Sequence, residues 1–143
     1  MYGSSDLEMF DVTYGEVLCE TDEIIGVSFN LQGDDGWNYH DADFMITYSK
    51  KKYALVGIIQ IGSGTDFESY SGSGYNRIYH LSCDQISFDE QAGVFNYELT
   101  AHHEYYNFNE ELYSAAEIKE MTNSLPEITR FQVLNTGEIV ISE

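Results

Sequence analysis

The first 49 residues contain no lysine and no arginine, and the whole chain carries six basic side chains against 25 acidic ones. A formal net charge of −19 on 143 residues argues against a direct nucleic-acid binder, since such proteins grip phosphates with Lys and Arg. An anionic membrane surface is repelled for the same reason. The missing bases also leave no n-region for a secretory signal, and no apolar run approaches the roughly 18 residues of a spanning helix. A cytoplasmic location is therefore expected. Cysteine is scarce too: Cys19 and Cys83 form neither a disulfide framework nor the paired ligands of a zinc motif. Both are expected as buried, reduced thiols.

Aromatic residues, by contrast, are plentiful, with 12 Tyr and 8 Phe in a chain that is 43% hydrophobic. Disordered acidic chains are poor in aromatics, so a folded protein is expected. The length suits a single globular domain over residues 1–143. Charge is unevenly spread. Residues 1–49 hold 11 acids and residues 84–127 hold 10 acids against Lys119 alone, while the segment between them contains Lys50, Lys51, Lys52 and Arg77.

Alternation predicts strands. Phe10, Val12 and Tyr14 alternate, as do Ile25, Val27, Phe29 and Leu31 on one face of Glu23–Leu31. Phe44, Ile46 and Tyr48 give a third strand, with Lys50–Lys52 fitting a hairpin turn. Tyr53–Ile61 is apolar on both faces and rich in β-branched residues, so it is expected to be the most central strand, with a bulge or close packing at Gly57. Tyr75–Leu81, Gln85–Phe88 and Val94–Leu99 read as three further strands, with Asp89–Gly93 as the turn between the last two. Asn135-Thr136-Gly137 joins two closing strands as a C-terminal β-hairpin. The one helix signal covers about residues 115–124: Ser114 and Glu117 form a capping box, Ile118, Met121 and Leu125 a stripe, and Pro126 a stop. The fold class expected is α+β, mainly antiparallel β, with about eight strands in a curled or layered sheet and one short helix.

Four constellations carry chemistry worth weighing. The stretch from Gly62 to Gly74 holds four glycines but feeds a strand and lacks the Lys and Ser/Thr of a phosphate loop, so it reads as a glycine-hinged contact loop presenting Phe67 and Tyr70. Asp34, Asp35, His40, Asp41 and Asp43 surround Trp37 without the ligand spacing of a calcium loop. His102, His103 and Glu104 are adjacent, and neighbours on a strand point to opposite faces, so a metal there would need a distant partner such as His80 or His40. That segment, with Tyr105, Tyr106, Glu110 and Glu111, reads as an acidic and aromatic contact surface that Glu117 and Glu120 of the helix extend. No nucleophile elbow or cysteine signature is present. No catalytic residue, metal or cofactor is assigned, and an enzyme is not expected.

The charge predicts a basic protein partner, foremost a nucleic-acid-binding enzyme whose cationic groove accepts rows of carboxylates in place of phosphates. In charge and size the chain resembles the small acidic inhibitors of phages and mobile elements, of the anti-restriction and anti-CRISPR type. Two alternatives stand beside this DNA-mimic reading. One is an immunity-type protein for a specific basic toxin or enzyme, anchored by Trp37, Phe67, Tyr70, Tyr105 and Tyr106. The other is a small ligand-binding or enzyme domain with a pocket beneath the glycine-hinged loop. A homodimer is compatible with the exposed edges of a β domain, although nothing in the sequence specifies one.

Overall fold

A computed structural model of the chain describes residues 10–34, 39–68 and 74–142. Eight strands follow one another as β1 (Phe10–Glu20), β2 (Ile24–Asp34), β3 (Tyr39–Ser49), β4 (Ala54–Glu68), β5 (Asn76–Asp89), β6 (Val94–Tyr106), β7 (Glu127–Val133) and β8 (Ile139–Ser142). The single helix described, α1 (Ala115–Thr122), lies between β6 and β7. All eight strands belong to one antiparallel sheet whose spatial order is the order of the sequence, and the sheet does not close.

Turn chemistry explains the meander. The Asp89 carboxylate accepts from the N–H groups of Gln91 and Ala92 at 3.0 and 3.2 Å, and Gly93 turns the chain at φ 67° into β6. This side-chain bond imitates a backbone turn. Gly137 takes φ 91° between β7 and β8, where its N–H donates to the Leu134 carbonyl at 2.9 Å. Both hairpins fall where their residues predict them. The helix is also where its capping box places it. The Ser114 hydroxyl accepts from the Glu117 N–H, and the Glu117 carboxylate accepts from the Ser114 N–H, each at 3.2 Å. None of its residues is buried, and its nearest strand is β6.

The core is asymmetric. Cys19, Ile24, Met45, Phe95, Tyr97, Leu99, Phe131 and Val133 are buried together, with Ile59, Ile61, Leu81, Cys83 and Ile139 against them. These side chains come from strands at both ends of the order, and long-range hydrogen bonds connect the same regions. The Thr47 hydroxyl donates to the Gly137 carbonyl at 2.6 Å, Tyr97 to the Leu18 carbonyl at 3.3 Å, and Thr21 to Asn135 at 3.1 Å.

Three expectations need correction. Residues 76–89 form one long strand rather than two, because β6 pairs with all of it and a single register shift between Gln85 and Ser87 absorbs the irregular pattern. The glycine-hinged loop is shorter than expected. Gly62–Glu68 continues β4, with Asp66, Phe67 and Glu68 in register with Tyr79, Ile78 and Arg77, because β5 reaches far enough to pair with it. The third concerns burial of the middle strands. β4 is central in the order, but Leu55, Val56 and Ile58 are exposed. Likewise, the core face of β2 carries Ile24 and Gly26, while the stripe Ile25, Val27, Phe29 and Leu31 occupies the other face and is only half-buried. No second layer covers that side among the described residues, since the helix packs near β6 instead. Gly57 fulfils its expectation: it borders a register shift in the β3–β4 ladder, and a Cβ there would stand 3.1 Å from Ile139.

Candidate acidic interaction surfaces

Asp41 and Asp43 lie two residues apart on β3, and therefore on one face. The Asn30 amide of β2 donates to both carboxylates at 2.7 Å and so holds them side by side. Gly62 on β4 makes room for this arrangement, because a Cβ there would come within 2.7 Å of an Asp43 carboxylate oxygen. Glu16 shares an open cleft of about 470 Å³ with Asp43. Asp34 ends the β2 strand, while Asp35, Trp37 and Tyr70 fall outside the described residues. Phe67 is placed on β4 by its backbone register only.

The second predicted group sits at the far end of β6 and around α1. The Glu104 carboxylate lies 2.9 Å from Nε2 of His80 on β5, within hydrogen-bond reach. His80 is in register with His102, and their rings stack at 6.4 Å, while His103 turns to the opposite face and meets Tyr79 at 5.0 Å. The alternation expected of the His102-His103 pair thus holds. Burial, and to a lesser extent the Arg77 charge, pushes the His103 pKa down. Tyr105 packs edge-on against Tyr75 at 5.3 Å, and Tyr75 also meets Phe108 and Tyr113, so Tyr105 belongs to an intramolecular aromatic cluster and is half-buried. Tyr106 is exposed at the strand end. Glu110, Glu111 and Glu120 are exposed, whereas Glu117 is engaged in the helix cap. The two groups lie on non-adjacent strands, with β4 and β5 between β3 and β6.

Two further acidic arrangements were not apparent from sequence. Where the β1–β2 and β5–β6 turns approach each other, Glu20, Asp22, Glu23 and Glu90 line an open cleft of about 630 Å³ together with Phe88 and Asn135. Across β5 and β6, Asp84 stands directly opposite Glu98, which reaches Arg130 of β7 at 3.3 Å. Both depend on strand register and on which turns meet, so residue spacing along the chain held no signal for either.

Both thiols are free, but only Cys19 is buried as expected, whereas Cys83 is half-buried. Burial raises the pKa of Cys19, partly offset by its hydrogen bond with Tyr97, and burial together with the Asp84 charge pushes Cys83 up to about 11. Among the described residues no group of three or more His, Cys, Asp or Glu side chains is placed to hold a metal ion, and no helix is long and apolar enough to cross a membrane. No protein-family model, curated protein or solved structure matches this chain.

Proposed function

We propose that this protein is a non-enzymatic, acidic binding protein that inhibits a cationic partner by occupying its nucleic-acid groove. One observation carries the reading. Even with every Lys and Arg paired internally, the net charge of −19 leaves a large excess of carboxylates without a counter-charge. Such a surface attracts a basic groove and speeds encounter with it. Paired carboxylates support the same reading: Asp41 beside Asp43, Asp84 opposite Glu98, and the four acids of the turn cleft. Same-face neighbours on a strand are about 6.6 Å apart, a spacing that presents charge in rows. Glu104, Glu110, Glu111, Glu117 and Glu120 would form a second acidic group.

An immunity-type complex with one basic toxin or enzyme is the second reading, and the exposed Tyr106 beside these glutamates favours it. We further infer that the sheet curls so that its halves enclose the core, on the strength of the Thr47–Gly137, Tyr97–Leu18 and Thr21–Asn135 hydrogen bonds.

The test is capture from a bacterial lysate on the immobilised protein, with elution by a salt gradient and competition by duplex DNA. A retained DNA-binding enzyme released by both salt and DNA supports groove occupancy. A partner that resists both supports the immunity-type complex and overturns DNA mimicry.

A further inference from the structure

The face of β1–β4 that points away from the core is apolar, and none of the described residues covers it. In-register residues share a face, and the register aligns Val12 with Leu31, Tyr14 with Phe29, and Val17 with Val27. It continues through Phe29 with Phe44 and Val27 with Ile46 into Ile46 with Ile58 and Tyr48 with Leu55. Phe29 and Phe44 stack at 5.1 Å in its centre. Val12, Tyr14, Val17, Leu55 and Ile58 are 54%, 75%, 54%, 68% and 61% exposed. The other half of the sheet differs: the corresponding face of β6 and β7 carries Asn96 with Gln132 and Glu98 with Arg130.

We propose that this face is the contact surface of a homodimer, in which two copies stack their β1–β4 sheets about a two-fold axis. Area is the first argument. Five apolar or aromatic side chains on this one face are more than half exposed, with the half-buried Phe29–Phe44 pair between them, whereas monomers rarely leave a contiguous apolar patch of more than a few hundred Å² and a stable interface takes about 800 Å² from each partner. Charge is the second. Glu20, in register with Ile25 at the margin, is the one charged residue among those aligned, and it is already paired with Lys50 at 2.6 Å. A basic partner is drawn to the carboxylates elsewhere on the molecule, whereas a second copy brings an equally uncharged face and leaves both sets of carboxylates in water. An isologous contact of this kind is self-complementary by symmetry. Geometry also favours the face over the edge. Two register shifts interrupt β1 between Tyr14 and Cys19, and such bulges blunt an edge strand against pairing.

The dimer is independent of the proposed function, and sedimentation of the purified protein tests it without any partner. Wild type is expected to sediment as a dimer at micromolar concentration. Ile58→Lys and, separately, Tyr14→Lys are expected to raise the dissociation constant at least tenfold, with circular dichroism unchanged. Each lysine makes the net charge one unit less negative, so weakening cannot come from added repulsion, and Leu125→Lys, at an exposed leucine elsewhere, is expected to dimerise as wild type does. Salt should tighten the dimer by screening repulsion between two acidic bodies. A wild type that stays monomeric, a dimer that both lysine variants retain, or a dimer that salt dissolves would overturn the proposal.

Discussion

Asp84 and Glu98 stand directly opposite each other in the β5–β6 ladder, and Arg130 approaches Glu98 from the far side at 3.3 Å. Like charges in register are destabilising, by about 0.2–1 kcal/mol on the scale of cross-strand pairs. Asp84→Asn should therefore raise the urea midpoint, most clearly at low salt, where screening is weakest. Arg130→Ala should lower it, and by less when Asp84→Asn is already present, which a double-mutant cycle measures directly.

Thr47 is fully buried, and its hydroxyl holds the carbonyl of Gly137 in the β7–β8 turn. Thr47→Val keeps the shape but strands that carbonyl, for an expected loss of about 1–3 kcal/mol in chemical denaturation. Thr47→Ser retains the donor and should lose less. A larger loss in Thr47→Ser than in Thr47→Val would show that packing of the methyl, not the hydrogen bond, joins the β3 strand to the C-terminal hairpin.

Local chemistry was legible in the sequence. The Ser114–Glu117 capping box, the Asp89–Gly93 and Asn135–Gly137 turns and most strand segments depend on residues within a few positions of one another, and each appears where its residues place it. Layering was not legible in the same way. Ile25, Val27, Phe29 and Leu31 form the cleanest apolar stripe in the chain, yet the core takes the opposite face of β2, where Ile24 lies beside Gly26 and Cys19 packs into the space the glycine leaves. Periodicity reports that a face is apolar; what covers it depends on other strands. The acidic candidates divide along the same line, since Asp41 and Asp43 share a face by spacing alone, whereas the Asp84–Glu98 pair needs the β5–β6 register.

Cys83 offers a pH-resolved measurement. With its pKa pushed up to about 11 from an ordinary 9.0, its thiolate fraction at pH 8 falls roughly a hundredfold, and alkylation should slow accordingly. The rate should keep rising with pH up to about 11. Linkage fixes the sign for stability: a thiol whose pKa is higher in the folded state stabilises fully below pH 9 and loses that contribution as pH rises toward 11. Cys83→Ser should therefore show a shallower alkaline decline in Tm than wild type.

Partner binding separates the two functional readings through Asp41, Asp43 and Tyr106. If the carboxylates act as phosphate surrogates, Asp41→Asn and Asp43→Asn should each weaken binding by a few-fold, with losses that accumulate and shrink as salt rises. Asn30, which donates to both side chains, keeps a hydrogen-bond acceptor in either amide variant, so the local strand geometry is preserved and the loss reports charge. Tyr106→Ala should then have little effect. An immunity-type interface concentrates its energy in a few aromatic anchors, and there Tyr106→Ala should cost more than 1 kcal/mol, mainly through faster dissociation, while each Asp→Asn change slows association alone. Surface plasmon resonance on the captured partner at two salt concentrations resolves the pattern, and a large Tyr106 effect that salt leaves unchanged would remove the groove-occupancy reading.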